Sequence, residues 1–241
     1  MKTNFRLLAA FLFMQFIASP AVSHAQTMLG NPGVRLVEYR NMDGTLIKSG
    51  KELGVFGSPM LQDGWGRGTV RFKNGQVLSD TGINFSLYDH KLYVQRNNSF
   101  IELIQPVTSF QLSFRNENEQ PVMHTFKNGF PAVGDLDEND FYEVLYEGKN
   151  LQLLVWLHKK VVEYFVYNGP QQKEYELVQH MYLYRPGENK MIPLDNAWSV
   201  KSVRKSLPSY TGDILSYNSS HKIDSKNREQ FVELVSYLDR K

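Results

Sequence analysis

The sequence predicts an α+β protein that is mainly β: an antiparallel meander, built as a sandwich or a partly open barrel, with a C-terminal helical tail. Three observations carry this. Between Val34 and Leu194, apolar residues recur at every second position in short runs, the period of a half-buried strand. Turn dipeptides punctuate those runs, with no helical stretch between them, which favours antiparallel pairing over βαβ units. After Leu194 the apolar spacing lengthens to i, i+3, i+7, the period of a helix.

The strands follow in order. Val70 and Phe72 alternate with Thr69, Arg71 and Lys73, and Asn74-Gly75 then marks a two-residue hairpin turn of the kind that needs positive φ at both positions. Ile83, Phe85 and Leu87 form the next row, and a turn at Asp89-His90 leads to Leu92 and Val94. Phe110, Leu112 and Phe114 repeat the pattern against Gln111, Ser113 and Arg115. Further turns are expected at Asp43-Gly44, Asn128-Gly129, Gly148, Asn168-Gly169 and Pro186-Gly187.

The later strands differ. Leu151 to Leu157, Val161 to Tyr167 and Tyr175 to Tyr184 carry apolar or aromatic residues on both faces, so both faces are expected to be covered. The tail begins near Ala197. Val200, Val203 and Leu207 mark a first helix, ended by Pro208; Tyr210, Ile214 and Tyr217 mark a second. Ser225 is the expected N-cap of a third, whose stripe is Phe231, Leu234, Val235 and Leu238. A helix this short is marginal alone in water, so the stripe needs a surface, and the two-sided strands offer one.

The N-terminus reads as an export signal. Lys2 and Arg6 precede an apolar run from Leu7 to Ile17, and Ser23-His24-Ala25 suits a signal peptidase, so residues 1–25 are expected to leave and the mature chain to start at Gln26. Residues 26–241 then form a single domain, large enough to bury about 70% of its unfolded surface. With Lys2 and Arg6 gone, 25 basic residues face 25 acidic ones, a balance that argues against nucleic-acid binding. The chain has no cysteine, which excludes a lipoprotein anchor, thiolate metal sites and cysteine nucleophiles. Export without cysteine points to the periplasm or exterior of a Gram-negative bacterium.

Sequence-local chemistry is sparse. There is no Gly-x-Ser-x-Gly nucleophile elbow. Gly64-Trp-Gly66-Arg-Gly68 lacks phosphate-loop spacing and reads as a loop leading into Val70. His90, His124, His158, His180 and His221 form no metal-binding pair in sequence; His90 belongs to a solvated turn, and His124 and His180 to strands. Asp135, Asp137 and Asn139 match the first half of a Ca²⁺ loop. Position 6 is Asp140 rather than glycine, and Glu147 stands one residue past the closing position, so a solvated acidic loop is the expected reading. The sequence therefore assigns no catalytic, cofactor-binding or metal residues, with Asp135, Asp137 and Asn139 as the Ca²⁺ candidates.

Gly68 to Gly75, Ile83 to Asp89 and Lys91 to Val94 resemble the opening blocks of a group of exported, β-rich proteins of Bacteroidetes-type bacteria that have no assigned function. Phe141 to Gly148, Tyr182-Leu-Tyr184 and the tail from Ser199 to Tyr237 are similar to its later blocks. The resemblance implies an envelope location and a sheet with a helical tail, and brings no site residues. The expected function is a non-catalytic envelope module that binds a protein partner, a small apolar ligand or a surface polymer. The alternative is a hydrolase acting on glycan or peptide through scattered acids.

Overall fold

The computed structural model describes residues 36–37, 54–96, 99–115, 119–165, 171–195, 198–225 and 227–241. The signal segment and the Asp43-Gly44 and Asn168-Gly169 turns lie outside these residues. Among the described residues there are twelve strands: β1 Leu36–Val37, β2 Val55–Phe56, β3 Gly66–Phe72, β4 Val77–Phe85, β5 Leu92–Arg96 and β6 Ser99–Leu103. They continue with β7 Val107–Arg115, β8 Pro121–Lys127, β9 Tyr142–Glu147, β10 Gln152–Phe165, β11 Gln171–Arg185 and β12 Lys190–Leu194. Three helices follow: α1 Val200–Ser206, α2 Thr211–His221 and α3 Arg228–Asp239.

All strands belong to one sheet, in the order β1-β6-β5-β4-β3-β7-β8-β9-β10-β11-β12. The pairing along that path is antiparallel, whereas β2 adds to β11 in parallel. From β3 onward the meander is broken once: after β6 the chain returns to the middle and lays β7 against β3. The sheet is not closed into a barrel. It curls enough, however, that the Lys159 amide of β10 donates to the Leu87 carbonyl just past β4, although four strands lie between β4 and β10 in the sheet.

One face of the sheet packs on the helices. Phe85, Phe110, Phe126, Leu153, Val155 and Leu183 join Val203, Leu207, Ile214, Phe231, Leu234, Val235 and Leu238 in one core. The opposite face of β9 to β12 is covered too. Tyr142, Leu154, Tyr182 and Met191 pack with Phe130, Val133 and Leu136 from the connection before β9. Alternation along β10 sends Leu153 and Val155 to one layer and Leu154 and Trp156 to the other, as a strand apolar on both faces requires.

Local details depart from the expectations above. Asn74 does not adopt positive φ; Gly75 alone does, at 84°. The Gly75 amide donates to Phe72, giving a three-residue turn rather than the two-residue form. Gly66 and Gly68 lie within β3, not in a loop. A Cβ on Gly68 would stand 2.3 Å from the Gln111 carbonyl oxygen, so glycine allows β3 and β7 to approach there. The N-cap of α3 is Asn227, whose side chain accepts from the Gln230 amide; Ser225 lies two residues too early.

Two polar links tie α3 to the sheet. Glu143 of β9 is 3% exposed, and its Oε1 accepts from Arg228 at 2.6 Å and pairs with His124 Nδ1 at 3.0 Å. Burial raises its pKa, but His124 and Arg228 outweigh that and hold it below the usual carboxylate range. At the other end of α3, the Asp239 carboxylate takes the Asn150 and Leu151 amides at 2.7 and 2.6 Å and the Tyr146 hydroxyl at 3.0 Å. A Cβ on Gly148 would meet that carboxylate at 2.4 Å, so the β9–β10 turn needs glycine for space.

Candidate functional site: a projecting arm and its aromatic root

β10 and β11 pair without a register shift from Gln152↔Tyr184 to Phe165↔Gln171. Their neighbours are shorter: β9 pairs with β10 only over Gln152 to Val155, and β12 with β11 only over Met181 to Arg185. Beyond those limits the two strands continue as a two-stranded arm, with β2 beside Lys173 and Glu174. The sequence basis is plain. Val161, Val162, Tyr164 and Phe165 favour extended backbone, and no glycine or proline interrupts either strand.

A two-stranded ribbon is marginal alone in water, and the root of this arm is anchored. Lys159 reaches back with its Nζ to the carbonyls of Ser58 and Met60, at 2.9 and 2.6 Å. Burial lowers the Lys159 pKa, against an opposing pull from Asp63. Tyr88 meets Tyr175 edge-on at 5.4 Å. Trp156 and His158 share one face of β10, and His90 lies parallel to both, with centroids at 5.2 and 5.4 Å. His90 Nε2 stands 3.1 Å from His158 Nδ1, and His180 packs on Trp156 at 5.7 Å.

This corrects the reading of His90 as part of a solvated turn. The residue is partly buried at a φ of 55°, with its Nδ1 removed from solvent. Three of the chain's six histidines converge on Trp156, which alternation alone could not reveal because they arrive from three separate segments. His124 instead serves the Glu143 link, and His221 is exposed at the end of α2.

The cluster holds uncompensated polarity. Asp89 Oδ1, His90 Nδ1, Tyr142 Oη and Trp156 Nε1 are buried without a hydrogen-bond partner among the described residues. Each such atom costs about 1–3 kcal/mol, which marks the root as a place where stability is given up. Burial, then the neighbouring His158, lower the His90 pKa; burial also lowers that of His158. The sign of the pH effect follows. In the unfolded chain both imidazoles take protons near 6.5, while the folded chain resists them. Stability should therefore be complete above about pH 7 and decline as pH falls below 6.5 toward the folded-state values. Urea unfolding between pH 7.5 and 5 checks this: the midpoint should fall in the parent and fall less in His90→Phe. Identical pH dependence would contradict it.

The acidic candidates have local partners. The Asn139 amide donates to Asp137 Oδ1 and the Asp137 amide to Asp140 Oδ2, both at 2.7 Å, so these carboxylates turn the loop onto itself. Asp135, Asp137 and Asn139 are exposed, and no group of three or more potential ligands drawn from His, Asp and Glu is found among the described residues. Melting temperatures in EDTA and in several millimolar CaCl₂ are expected to coincide. A rise of more than a few degrees, abolished by Asp137→Ala, would make this loop a Ca²⁺ site.

Of the eight large apolar side chains open to solvent among the described residues, Ile104, Val122, Met123 and Leu215 lie away from the arm and four lie on it or on β2. Phe165 is 83% exposed at the far end of β10 and Phe56 56% exposed on β2, with Tyr164 and Leu177 also open to solvent along the arm. Among the described residues, no helix is long and apolar enough to cross a membrane. Comparison with protein-family models, with curated proteins and with solved structures gives no match, so the functional reading rests on the arm and its root.

Proposed function

We propose that this chain is an exported, non-catalytic envelope module of a Gram-negative bacterium, similar to the Bacteroidetes-type group, that binds a protein partner through its β10–β11 arm. The observation that carries the reading is the arm itself, a ribbon running past its neighbouring strands and showing Tyr164, Phe165, Leu177 and Phe56 to solvent. Exposed aromatics favour interaction surfaces, because their burial on a partner is favourable and their exposure is not. The anchored root keeps the ribbon in one orientation, so little order has to be gained on binding. The N-terminal signal features supply the export reading.

The test is photo-cross-linking in the producing bacterium, with a photoreactive residue at Phe165 or, as a control, at exposed Lys201 on α1. Adducts at Phe165 but not at Lys201, in a chain whose mass shows Gln26 at its start, are the expected result. Equal labelling at both positions, or none at Phe165, would remove the arm as a binding element. An uncleaved chain retained in the cytoplasm would remove the export reading.

A further inference from the structure

Building on the reading that the arm binds a protein, we infer that its partner is a second copy of this chain, paired antiparallel along the free edge of β10. The hydrogen bond from the Lys159 amide to Leu87 points away from β11. Backbone groups alternate sides along a strand, so Val161, Glu163 and Phe165 also turn their amides and carbonyls outward. Among the described residues no strand pairs with that edge. An unpaired edge rich in β-branched and aromatic residues is a template for another strand.

The order of side chains selects the partner. Residues 161–165 read Val-Val-Glu-Tyr-Phe: two β-branched residues, one acid, two aromatics. A two-fold axis through Glu163 sets Val161 opposite Phe165 and Val162 opposite Tyr164 of the second chain, and the reverse pairs on the other side. Every pair off the axis then joins a β-branched residue to an aromatic one, a favourable cross-strand combination. The three outward-facing residues all fall at hydrogen-bonded positions in this register.

The axial position would place two Glu163 carboxylates together, which alone would oppose pairing. Each, however, already has Lys173 Nζ at 2.8 Å on its own β11. The assembled ladder Lys-Glu-Glu-Lys is neutral, with each acid beside a base. A foreign strand has no reason to match this size order or to bring its own charge pair.

Analytical ultracentrifugation of the purified chain tests the inference. The expected result is a mass rising from one chain toward two over about 10–100 μM, the weak range typical of a small interface. Glu163→Lys puts four positive charges in the ladder and should weaken association by about tenfold or more. Adding Lys173→Glu reverses both partners and should restore it. The cysteine-free background allows a register check. Glu163→Cys should form a self-linked dimer with a short thiol cross-linker, whereas Val161→Cys and Phe165→Cys should link only when mixed. A monomer throughout, or self-linking of similar extent at all three positions, would overturn the inference. The photo-adduct separates the two claims: one of twice the chain's mass supports both, and one of another mass keeps the binding arm while rejecting the second copy.

Discussion

Ending the chain at Leu194 is expected to abolish the fold. The removed segment buries Val203, Leu207, Ile214, Phe231, Leu234, Val235 and Leu238, each at most 2% exposed. At about 1.5–3 kcal/mol per side chain, their burial supplies roughly 10–20 kcal/mol before the entropy of ordering the tail is charged. A domain of this kind has a net stability of about 5–15 kcal/mol, so little or none remains. The sheet would also lose its cover over Phe110, Phe126 and Leu153, leaving an apolar surface that promotes association. Size-exclusion chromatography and near-ultraviolet circular dichroism should show aggregates without fixed tertiary structure. A soluble fragment melting cooperatively would show instead that the helices are an appendage to a self-sufficient sheet.

Asp239→Ala should be the most damaging single change among the polar links, at about 3–5 kcal/mol. The substitution leaves the Asn150 and Leu151 amides and the Tyr146 hydroxyl without their acceptor, where Leu151 is fully buried. An acid in the last turn of a helix ordinarily opposes the helix dipole, so local preference does not place it there. Burial also raises its pKa, yet the hydrogen bonds from Leu151, Asn150 and Tyr146 prevail and hold the carboxyl below the ordinary range. The stabilisation is therefore present above about pH 4 and is lost as pH falls through the depressed folded-state value. Thermal melting should show a drop of roughly 6–20 °C at neutral pH. Asp239→Asn keeps one acceptor oxygen and should lose less; a loss equal to that of alanine would mean that charge, not hydrogen bonding, anchors the turn. Gly148→Ala should also destabilise, by about 1–3 kcal/mol, because its methyl group enters the space of the carboxylate.

Much of the local architecture was legible in the residues. Period-two runs placed β3, β4 and β7, and Phe231, Leu234, Val235 and Leu238 named the buried stripe of α3, whereas the separate runs Leu151 to Leu157 and Val161 to Tyr167 prove to be parts of one strand, β10, as far as the described residues go. The apolar residues on both faces of Leu151 to Leu157 announced two covering layers, and the helices and the connection before β9 provide them. These features are carried by neighbours in sequence, whose side-chain directions follow from backbone geometry alone. The smaller errors were local as well: Asn74-Gly75 allows two turn types, and Ser225 and Asn227 are both competent caps, so packing chose between near-equal options.

What the tertiary structure decided was everything that depends on distant pairing. Nothing in the residues of β7 requires it to return beside β3, or lets β10 and β11 outrun β9 and β12 to become an arm. His90 lies 68 positions from His158, and Asp239 lies 88 from Leu151; no periodicity spans such distances. The physical reason is that alternation fixes which face a residue takes, while strand order and register come from the summed burial of the whole sheet. The sequence by itself therefore determined the elements and their buried faces. Only the folded sheet determined that a histidine–tryptophan cluster anchors an exposed aromatic ribbon.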